Sequence, residues 1–298
     1  MGIAGRMGRL GVLFFAAMLL VASCSGGGTS STVPIVTNPS QVQVDQNTAA
    51  TAVALLNQYR MLGSIDPVAL DADLCKGCQL HANYLSSNSV SLSSVGLKAH
   101  TETPGAIGYT ATGAKSAQNS VIYEGVTPTQ AVTNWMQTLY HRLGMMDPNL
   151  KRVGFGSQGA YQVMDIGQGR LRGMLAHDSI SIFPWPGMTG VVGSYVREIP
   201  HPIASDYEIG VPITIEFFGL RGVSIEQPVV HLRDVTHSRD LGAYVQYPGH
   251  PFLPQWDLAQ LIAIIPHNPL PGGSVIEVEV NAFVDGGPFS TEWQFTTR

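Results

Sequence analysis

Residues 135–156 read WMQTLYHRLGMMDPNLKRVGFG, and they connect the end of an apolar helix to the start of a strand. The apolar residues up to the turn recur at helical spacing on one face: Ala131, Val132, Trp135, Met136 and Leu139. His141 follows them, and Asp147-Pro148 then ends the helical pattern ahead of the strand. The spacing predicts that His141 lies at a fixed junction between two buried elements.

The chain on the N-terminal side of this stretch predicts two further helices. The first covers 48–62 and stops at Gly63, and Asp71 is a suitable N-cap for the second. The buried side of the second helix carries Leu74, Cys78, His81, Ala82 and Leu85. Because a lone histidine on an apolar face is usually a hydrogen-bonded core group, we expect a structural role for His81.

The segment 86–125 is rich in Ser, Gly and Thr without periodicity, which predicts a long loop of the kind that carries function. Thr127 and Gln130 then form a capping box around Pro128, so the third helix begins there. Strands are predicted at 151–156 and 161–167. Helices and short strands in this order indicate an α+β fold.

Several segments carry a family resemblance: LLNQYRMLG at 55–63, LCKGCQLHANYL at 74–85, AHTE at 99–102 and the strand at 161–167. Together with the tryptophan helix ending in His-Arg, the Pro-Asn loop and the V-G-x-G strand, they resemble the CAP superfamily. This is the SCP domain of cysteine-rich secretory and plant pathogenesis-related proteins, here in its bacterial form. The resemblance implies a CAP-type α-β-α sandwich over residues 47–174.

The resemblance also implies a cleft with two histidines and two acidic residues, which holds a divalent metal in some members. His100 and His141 match the histidines. The sequence departs from the family at Gln118, where a Gly-Glu-Asn element has Glu, and at Thr138, where other members have Glu or Ser. Glutamine is neither a general base nor a good cation ligand, so the full set of four is missing.

Two acids are candidates to replace the missing carboxylate. Glu102 lies two residues after His100, on the same side of an extended backbone, and Glu124 leads into the third helix. Both can equally be ordinary solvated acids. The predicted cleft residues are His100, Glu102, Gln118, Glu124, Thr138 and His141. Two neutral imidazoles suit zinc or a similar ion, and we expect weak binding because an anionic ligand is lacking.

A hydrolase acting through Ser116 or Ser120 is the enzymatic alternative in this part of the chain. No G-x-S-x-G context surrounds either serine, so no catalytic residue is assigned.

The first 23 residues predict an export signal. Arg6 and Arg9 precede an apolar run, Leu10–Ala22, that is short for a membrane span. The run ends in VASC, which resembles the lipobox cut by lipoprotein signal peptidase and implies diacylglycerol on Cys24; an ordinary cleavage site is the alternative. Residues 24–46 then form a polar, flexible linker.

Lipidation of Cys24 leaves Cys75 and Cys78 in an oxidising compartment. Their C-x-x-C spacing fits a disulfide or a pair of buried thiols. Redox or metal chemistry is the other alternative, but the sequence shows neither a thioredoxin-like pattern around the pair nor further zinc ligands beside it.

Composition narrows the function classes. The chain has 298 residues, 44% of them hydrophobic and 12% charged, with a net charge of -5. This composition is typical of a globular protein with a sizeable core, and the charge argues against a nucleic-acid partner.

Beyond residue 175 the helical periods give way to seven candidate strands: Ser179–Phe183, Val211–Phe217, Val223–Arg233, Ala243–Tyr247, Gln260–Pro266, Gly273–Val284 and Ser290–Thr297. Such a series predicts a β-sandwich over 175–298. The end of the chain, residues 264–298, resembles bacterial Ig-like modules, which serve as spacers and adhesion surfaces. Little in the sequence indicates a core shared with the CAP-like part.

These observations predict an exported lipoprotein, anchored to the membrane of the cell envelope through Cys24. Its CAP domain is expected to bind a small-molecule, lipid or macromolecular ligand near the two histidines, with a weakly bound divalent metal such as zinc as the candidate cofactor. A metal-dependent hydrolase of peptide or cell-wall material is the alternative.

Overall fold

The computed structural model describes residues 42–171, 179–203, 208–218 and 223–298. The predicted export signal, Cys24 and most of the 24–46 linker lie outside these residues. The helices are α1 (Gln46–Leu62), α2 (Ala72–Ser87), α3 (Leu92–Val95), α4 (Ala111–Ala117), α5 (Pro128–Met136) and α6 (Tyr140–Met145). Within the described part, none of them is both long enough and apolar enough to cross a membrane.

The N-terminal region, residues 42–171, contains one sheet between helices. Its strands are β1 (Ala69–Leu70), β2 (Ser120–Glu124), β3 (Arg152–Gln158) and β4 (Tyr161–Asp165), in the order β1-β3-β4-β2. β1 is parallel to β3, and the other pairs are antiparallel. Val153 and Phe155 face a core formed with α1 and α5, whereas Ile122 and Val163 face α2. Helices therefore cover both faces of the sheet.

The V-G-x-G motif brings β3 against α2. A Cβ atom on Gly154 would lie 2.2 Å from the carbonyl carbon of Leu74, and one on Gly156 would lie 2.2 Å from the amide nitrogen of Gln79. Only glycine allows this approach of backbone to backbone. The motif thus fixes the distance between the sheet and the helix.

Local signals predict the helix starts well but not every boundary. Asp71 and Thr127 are N-caps of α2 and α5, and the capping box is present, so these predictions are confirmed. The third helix is shorter than predicted: it ends at Met136, and His141 lies in the first turn of the separate helix α6. The predicted long loop at 86–125 is also wrong, because α3, α4 and β2 lie within it.

The β-rich region, the described residues from 179 to 298, contains eight strands. They are β5 (Ser179–Phe183), β6 (Ile213–Phe218), β7 (Ile225–Asp234), β8 (Arg239–Leu241), β9 (Ala243–Gln246), β10 (Leu261–Pro266), β11 (Val275–Val284) and β12 (Gly287–Thr296). All seven predicted strands are confirmed to within a few residues, and the short β8 is an addition. The strands form two antiparallel four-stranded sheets, β5-β6-β10-β9 and β12-β11-β7-β8. Apolar side chains of both sheets share one core, which makes a sandwich.

The expectation of little shared core between the two regions is wrong. Phe183 of β5 belongs to the core built around α1 and α5, and Leu139 packs with Ile203, Ile209 and Ile265. These apolar contacts bury surface of both regions together.

Arg142 is a polar bridge between the same two regions. Its side chain is fully buried, and its guanidinium donates to the carbonyl oxygens of Met136 at 2.9 Å and Pro212 at 2.8 Å. It also lies 4.2 Å from the ring centroid of Phe183. A buried arginine whose partners come from both regions ties them firmly together.

Candidate functional site

His100 ends the 3-10 turn Gly96–His100 and is held by one backbone contact. Its Nδ1 lies 3.0 Å from the carbonyl oxygen of Ala117. A carbonyl oxygen only accepts, so Nδ1 carries the hydrogen and Nε2 keeps its lone pair. Burial lowers the pKa of His100; the bond to Ala117 opposes this, and the nearby charges of His141 and His81 lower the pKa further. The imidazole is therefore neutral at pH 7.

His141 adopts the same tautomer for a different reason. Its Nδ1 lies 3.0 Å from Oγ1 of Thr138, and that hydroxyl donates its hydrogen to the Trp135 carbonyl oxygen at 2.7 Å. The hydroxyl must then accept from Nδ1–H, which leaves the Nε2 lone pair unshared. The His141 side chain is 17% exposed. Among the described residues, none forms a hydrogen bond with Nε2 of either His100 or His141.

Glu198 of the β-rich region is the acid nearest to His141. Its carboxylate is fully buried, and Oε2 lies 3.1 Å from His141 Nδ1. Oε1 accepts the Leu139 N–H at 2.6 Å, and Oε2 accepts the Tyr140 N–H at 3.0 Å. Glu198 thus satisfies free N–H groups at the start of α6. No local sequence pattern marks Glu198, because its contact with His141 spans 57 positions.

Glu198 lies in a segment that we call the strap, residues 195–201, which contacts the N-terminal region. The Tyr195 hydroxyl oxygen accepts the Glu198 N–H at 3.1 Å, which orients the strap from within. Ile199 lies next to the turn that leads to His100, since a Cβ on Gly96 would be 3.6 Å from Ile199 Cγ2. The strap therefore lies close to the turn that leads to His100 and contacts the start of α6.

The two acids predicted from the sequence are engaged elsewhere. Glu102 Oε1 lies 3.0 Å from His81 Nδ1, and Glu102 Oε2 accepts the Thr110 N–H at 3.0 Å. Glu124 accepts the Leu92 N–H at 2.9 Å and so caps α3. In the described part of the chain, neither carboxylate contacts His100 or His141. Both carboxylates therefore have structural partners, and their place in the cleft stays a prediction.

His81 is the packed core histidine that its position on an apolar face predicts. Its Nε2 lies 3.0 Å from the Ala99 carbonyl oxygen, and both His81 and Glu102 have fully buried side chains. Gln118 is exposed and follows Ala117, the residue that holds His100. Thr138 and Glu198 thus both contact His141, whereas His100 contacts Ala117, which precedes Gln118.

Ser116 and Ser120 form no nucleophile–histidine pair with the cleft. Ser116 Oγ is buried, 3.3 Å from Asp165 Oδ2 and 3.5 Å from both Ser120 Oγ and Cys78 Sγ. A serine nucleophile needs a base within hydrogen-bond reach, and these serines have structural partners instead.

Cys75 and Cys78 are free thiols buried on α2. Their sulfurs accept the Phe155 N–H at 3.3 Å and the Asp165 N–H at 3.2 Å, so each thiol contacts a different strand. Burial raises the pKa of both thiols. The structure shows the buried-thiol alternative, not the disulfide, and thiols of this kind are unreactive.

The donor set fits a divalent metal in part. Histidines that ligate metals donate one ring N–H to a protein acceptor, which orients the other nitrogen toward the ion. His100 and His141 both do so, and zinc accepts imidazole nitrogen. Within the described ranges, no group of three or more His, Cys, Asp and Glu side chains is arranged to hold a metal. A metal ligated by His100 and His141 therefore stays a prediction from the sequence.

Comparison with known proteins finds a family whose model matches part of the N-terminal region. Residues 53–165 match the family model described as "CAP: Cysteine-rich secretory protein family". The match covers somewhat more than a third of the chain and confirms the CAP resemblance for that segment. Glu198 and the strap lie outside it. No curated protein matches the sequence.

Two solved structures are similar to this chain over less than half of its length. An extracellular protein containing a SCP domain from Bacillus anthracis str. Ames is 12% identical, with a TM-score of 0.34, over 44% of this chain and 44% of that chain. A cysteine-rich secretory protein from Staphylococcus aureus subsp. aureus Mu50 is 15% identical, with a TM-score of 0.27, over 41% of this chain and 39% of that chain. The chain thus spans less than half of either solved protein.

Proposed function

We propose that this chain is an exported binding protein whose CAP domain holds a ligand at Nε2 of His100 and His141. The observation that carries this proposal is the shared tautomer of the two histidines. In each, Nδ1–H is used by a protein acceptor, and the Nε2 lone pair has no partner among the described residues. Such a pair suits a ligand that coordinates through a metal or donates hydrogen bonds.

Zinc is the probe that tests this site. Because only neutral imidazoles are available, binding should be weak, and it should be lost in acid, because a protonated imidazole cannot ligate a cation. The expected result in calorimetry is a weak, saturable heat that is lost in His141→Ala. Gln118→Glu adds an anion at the cleft edge and should tighten binding about tenfold, or ~1.4 kcal/mol.

His237→Ala is the matched control for the zinc experiment. His237 also faces a carboxylate, with Nδ1 2.8 Å from Asp234 Oδ2, but it lies in the β-rich region and is mostly exposed. Zinc binding should be unchanged in this variant. If zinc binding survives His141→Ala unchanged, or is lost in His237→Ala, the metal is not at the proposed cleft.

The contacts of the acids weaken the hydrolase alternative. A metal-dependent hydrolase of peptide or cell-wall material needs a carboxylate or another base free to activate water. Glu102 and Glu124 are bonded to His81 and to a backbone N–H. Glu198 is already occupied by three N–H groups. We therefore favour binding over catalysis.

Anchoring to the cell envelope through diacylglycerol on Cys24 is the second part of the proposal. Support comes from the sequence alone: the basic start, the apolar run and the VASC motif. Mass spectrometry of the mature N-terminal peptide should show the lipid on Cys24. Cys24→Ala should release the protein from the membrane fraction, and an unchanged distribution of this variant would exclude the anchor.

We also assign the β-rich region to the Ig-like class. One sheet contains its first, second, sixth and fifth strands, and the other contains the eighth, seventh, third and fourth. This is the Ig strand order A-B-E-D opposite G-F-C-C′, which supports the assignment. In this proposal the β-rich region serves the CAP domain as a spacer or as an adhesion surface. A deletion of residues 179–298 that left envelope location and ligand binding unchanged would contradict that role.

A further inference from the structure

We propose that Glu198 is a positioning residue, through which the β-rich region orients the His141 imidazole and completes the ligand cleft. This inference rests on the proposed function of the cleft. It goes further because it assigns part of the site to a region outside the matched family segment.

Glu198 is held too firmly to be an incidental neighbour. Its two oxygens accept the N–H groups of Leu139, Tyr140 and His141 at 2.6, 3.0 and 3.4 Å. Its side chain is fully buried, and its own N–H is bonded to the Tyr195 hydroxyl oxygen. A carboxylate with this many donors has a single position available, so it places the start of α6 as well.

The charge of Glu198 acts on the residues around it. Burial raises the pKa of Tyr140, and the Glu198 charge raises it further. Burial lowers the pKa of Arg142 to about 10, and the charges of Glu216 and Glu198 act in the opposite direction. Both effects indicate that the carboxylate charge reaches the first turn of α6 through a water-poor interior.

The same charge favours one tautomer of His141. An anion 3.1 Å from Nδ1 favours a hydrogen on that nitrogen and leaves Nε2 as the basic, ligand-facing atom. The Thr138 hydroxyl, which donates to the Trp135 carbonyl oxygen, accepts from the same nitrogen and acts in the same direction. Glu198 therefore adds a buried negative charge to this preference and strengthens it.

Glu198→Gln tests the inference in the full chain. The variant preserves size but removes the charge and places an amide N–H₂ among N–H donors. Nitrogen-15 imidazole spectra should show His141 mostly as the Nδ1–H tautomer in the wild type and shifted toward Nε2–H in the variant. Zinc affinity should fall about 10–100-fold, as it does when a partner of a metal-ligating histidine is lost.

Asp234→Asn is the matched control. Asp234 is also fully buried and contacts a histidine at 2.8 Å, but that pair lies in the β-rich region. The control should leave the His141 spectrum and the zinc affinity unchanged.

Tyr195→Phe provides a milder test if Glu198→Gln folds poorly. The variant removes only the acceptor of the Glu198 N–H and should shift the His141 tautomer in the same direction by a smaller amount. A wild-type His141 already in the Nε2–H form, or a tautomer unaffected by Glu198→Gln, would overturn the inference. If the tautomer shifts but the wild type binds no zinc, Glu198 is the positioning residue and the metal form of the proposed function fails instead.

Discussion

The histidine–glutamate pair inside the N-terminal region and the pair that joins the two regions have nearly the same contact distance. His81 Nδ1 lies 3.0 Å from Glu102, and His141 Nδ1 lies 3.1 Å from Glu198. They differ at the second ring nitrogen. His81 Nε2 is 3.0 Å from a carbonyl oxygen, whereas His141 Nε2 has no partner in the described part of the chain. The free nitrogen, not the carboxylate contact, distinguishes His141, the proposed binding histidine, from His81.

The origin of the carboxylate also differs between the two pairs. Glu102 is 21 residues from His81, whereas Glu198 is 57 residues from His141. The first pair links α2 to the turn that follows His100. The second pair depends on the docking of the β-rich region. Core stability in the N-terminal region and formation of the cleft therefore rely on different parts of the chain.

Separating the two regions should have the largest effect on the stability of the protein. Division into fragments 1–174 and 175–298 separates Phe183 from the core around α1 and α5 and Leu139 from its neighbours in the β-rich region, and Arg142 loses its partner Pro212. We expect neither fragment alone to unfold cooperatively in urea, as followed by circular dichroism, and mixing the fragments should restore part of the transition. Two separate cooperative transitions would instead make the regions independent domains.

Glu102→Ala should strongly destabilise the folded protein, because it breaks the buried His81–Glu102 pair. It leaves the buried Nδ1 of His81 without its carboxylate partner, and loss of one partner from a buried pair costs about 3–5 kcal/mol. The free energy of unfolding from urea titration measures the effect. The control Glu226→Ala removes an exposed acid and should change that free energy by less than about 0.5 kcal/mol. Equal effects of the two variants would show that the His81 pair has no structural role.

His100 should make stability depend on pH. Burial holds its pKa in the folded protein below the ordinary value, so the unfolded chain takes up the proton first as pH falls. Its contribution is complete above about pH 6.5 and is lost as pH falls toward the folded pKa, by at most ~1.4 kcal/mol per pH unit. Unfolding curves between pH 7.5 and 5 should show this slope in the wild type and a reduced slope in His100→Gln. An identical slope in both proteins would place the titrating group elsewhere.

The smallest effect is expected from reductant. Cys75 and Cys78 are free thiols, so dithiothreitol should leave the unfolding midpoint unchanged in a Cys24→Ser background. A chromogenic thiol reagent should react with both sulfurs only after unfolding, because burial raises their pKa. If the thermal unfolding midpoint falls by several degrees in reductant, Cys75 and Cys78 form a disulfide.

The sequence by itself predicts features that depend on neighbouring residues. The N-caps at Asp71 and Thr127 are satisfied by backbone groups within one helical turn, so a short pattern is sufficient to find them. Alternation along a strand likewise identifies the β-rich region. The V-G-x-G motif and the two histidines belong to a family pattern, and residues 53–165 match the model of that family.

Tertiary structure alone determines which acid meets which histidine. Glu102 stands two residues from His100 in the sequence, yet its carboxylate is bonded to His81. Glu198 has no local signal and nevertheless contacts His141. The end of the third helix at Met136 has a related cause, because the N–H groups after it are satisfied by Glu198 at the start of α6. Which side chains of distant segments meet depends on how the two regions pack. This packing produces no periodic pattern in the sequence of either segment.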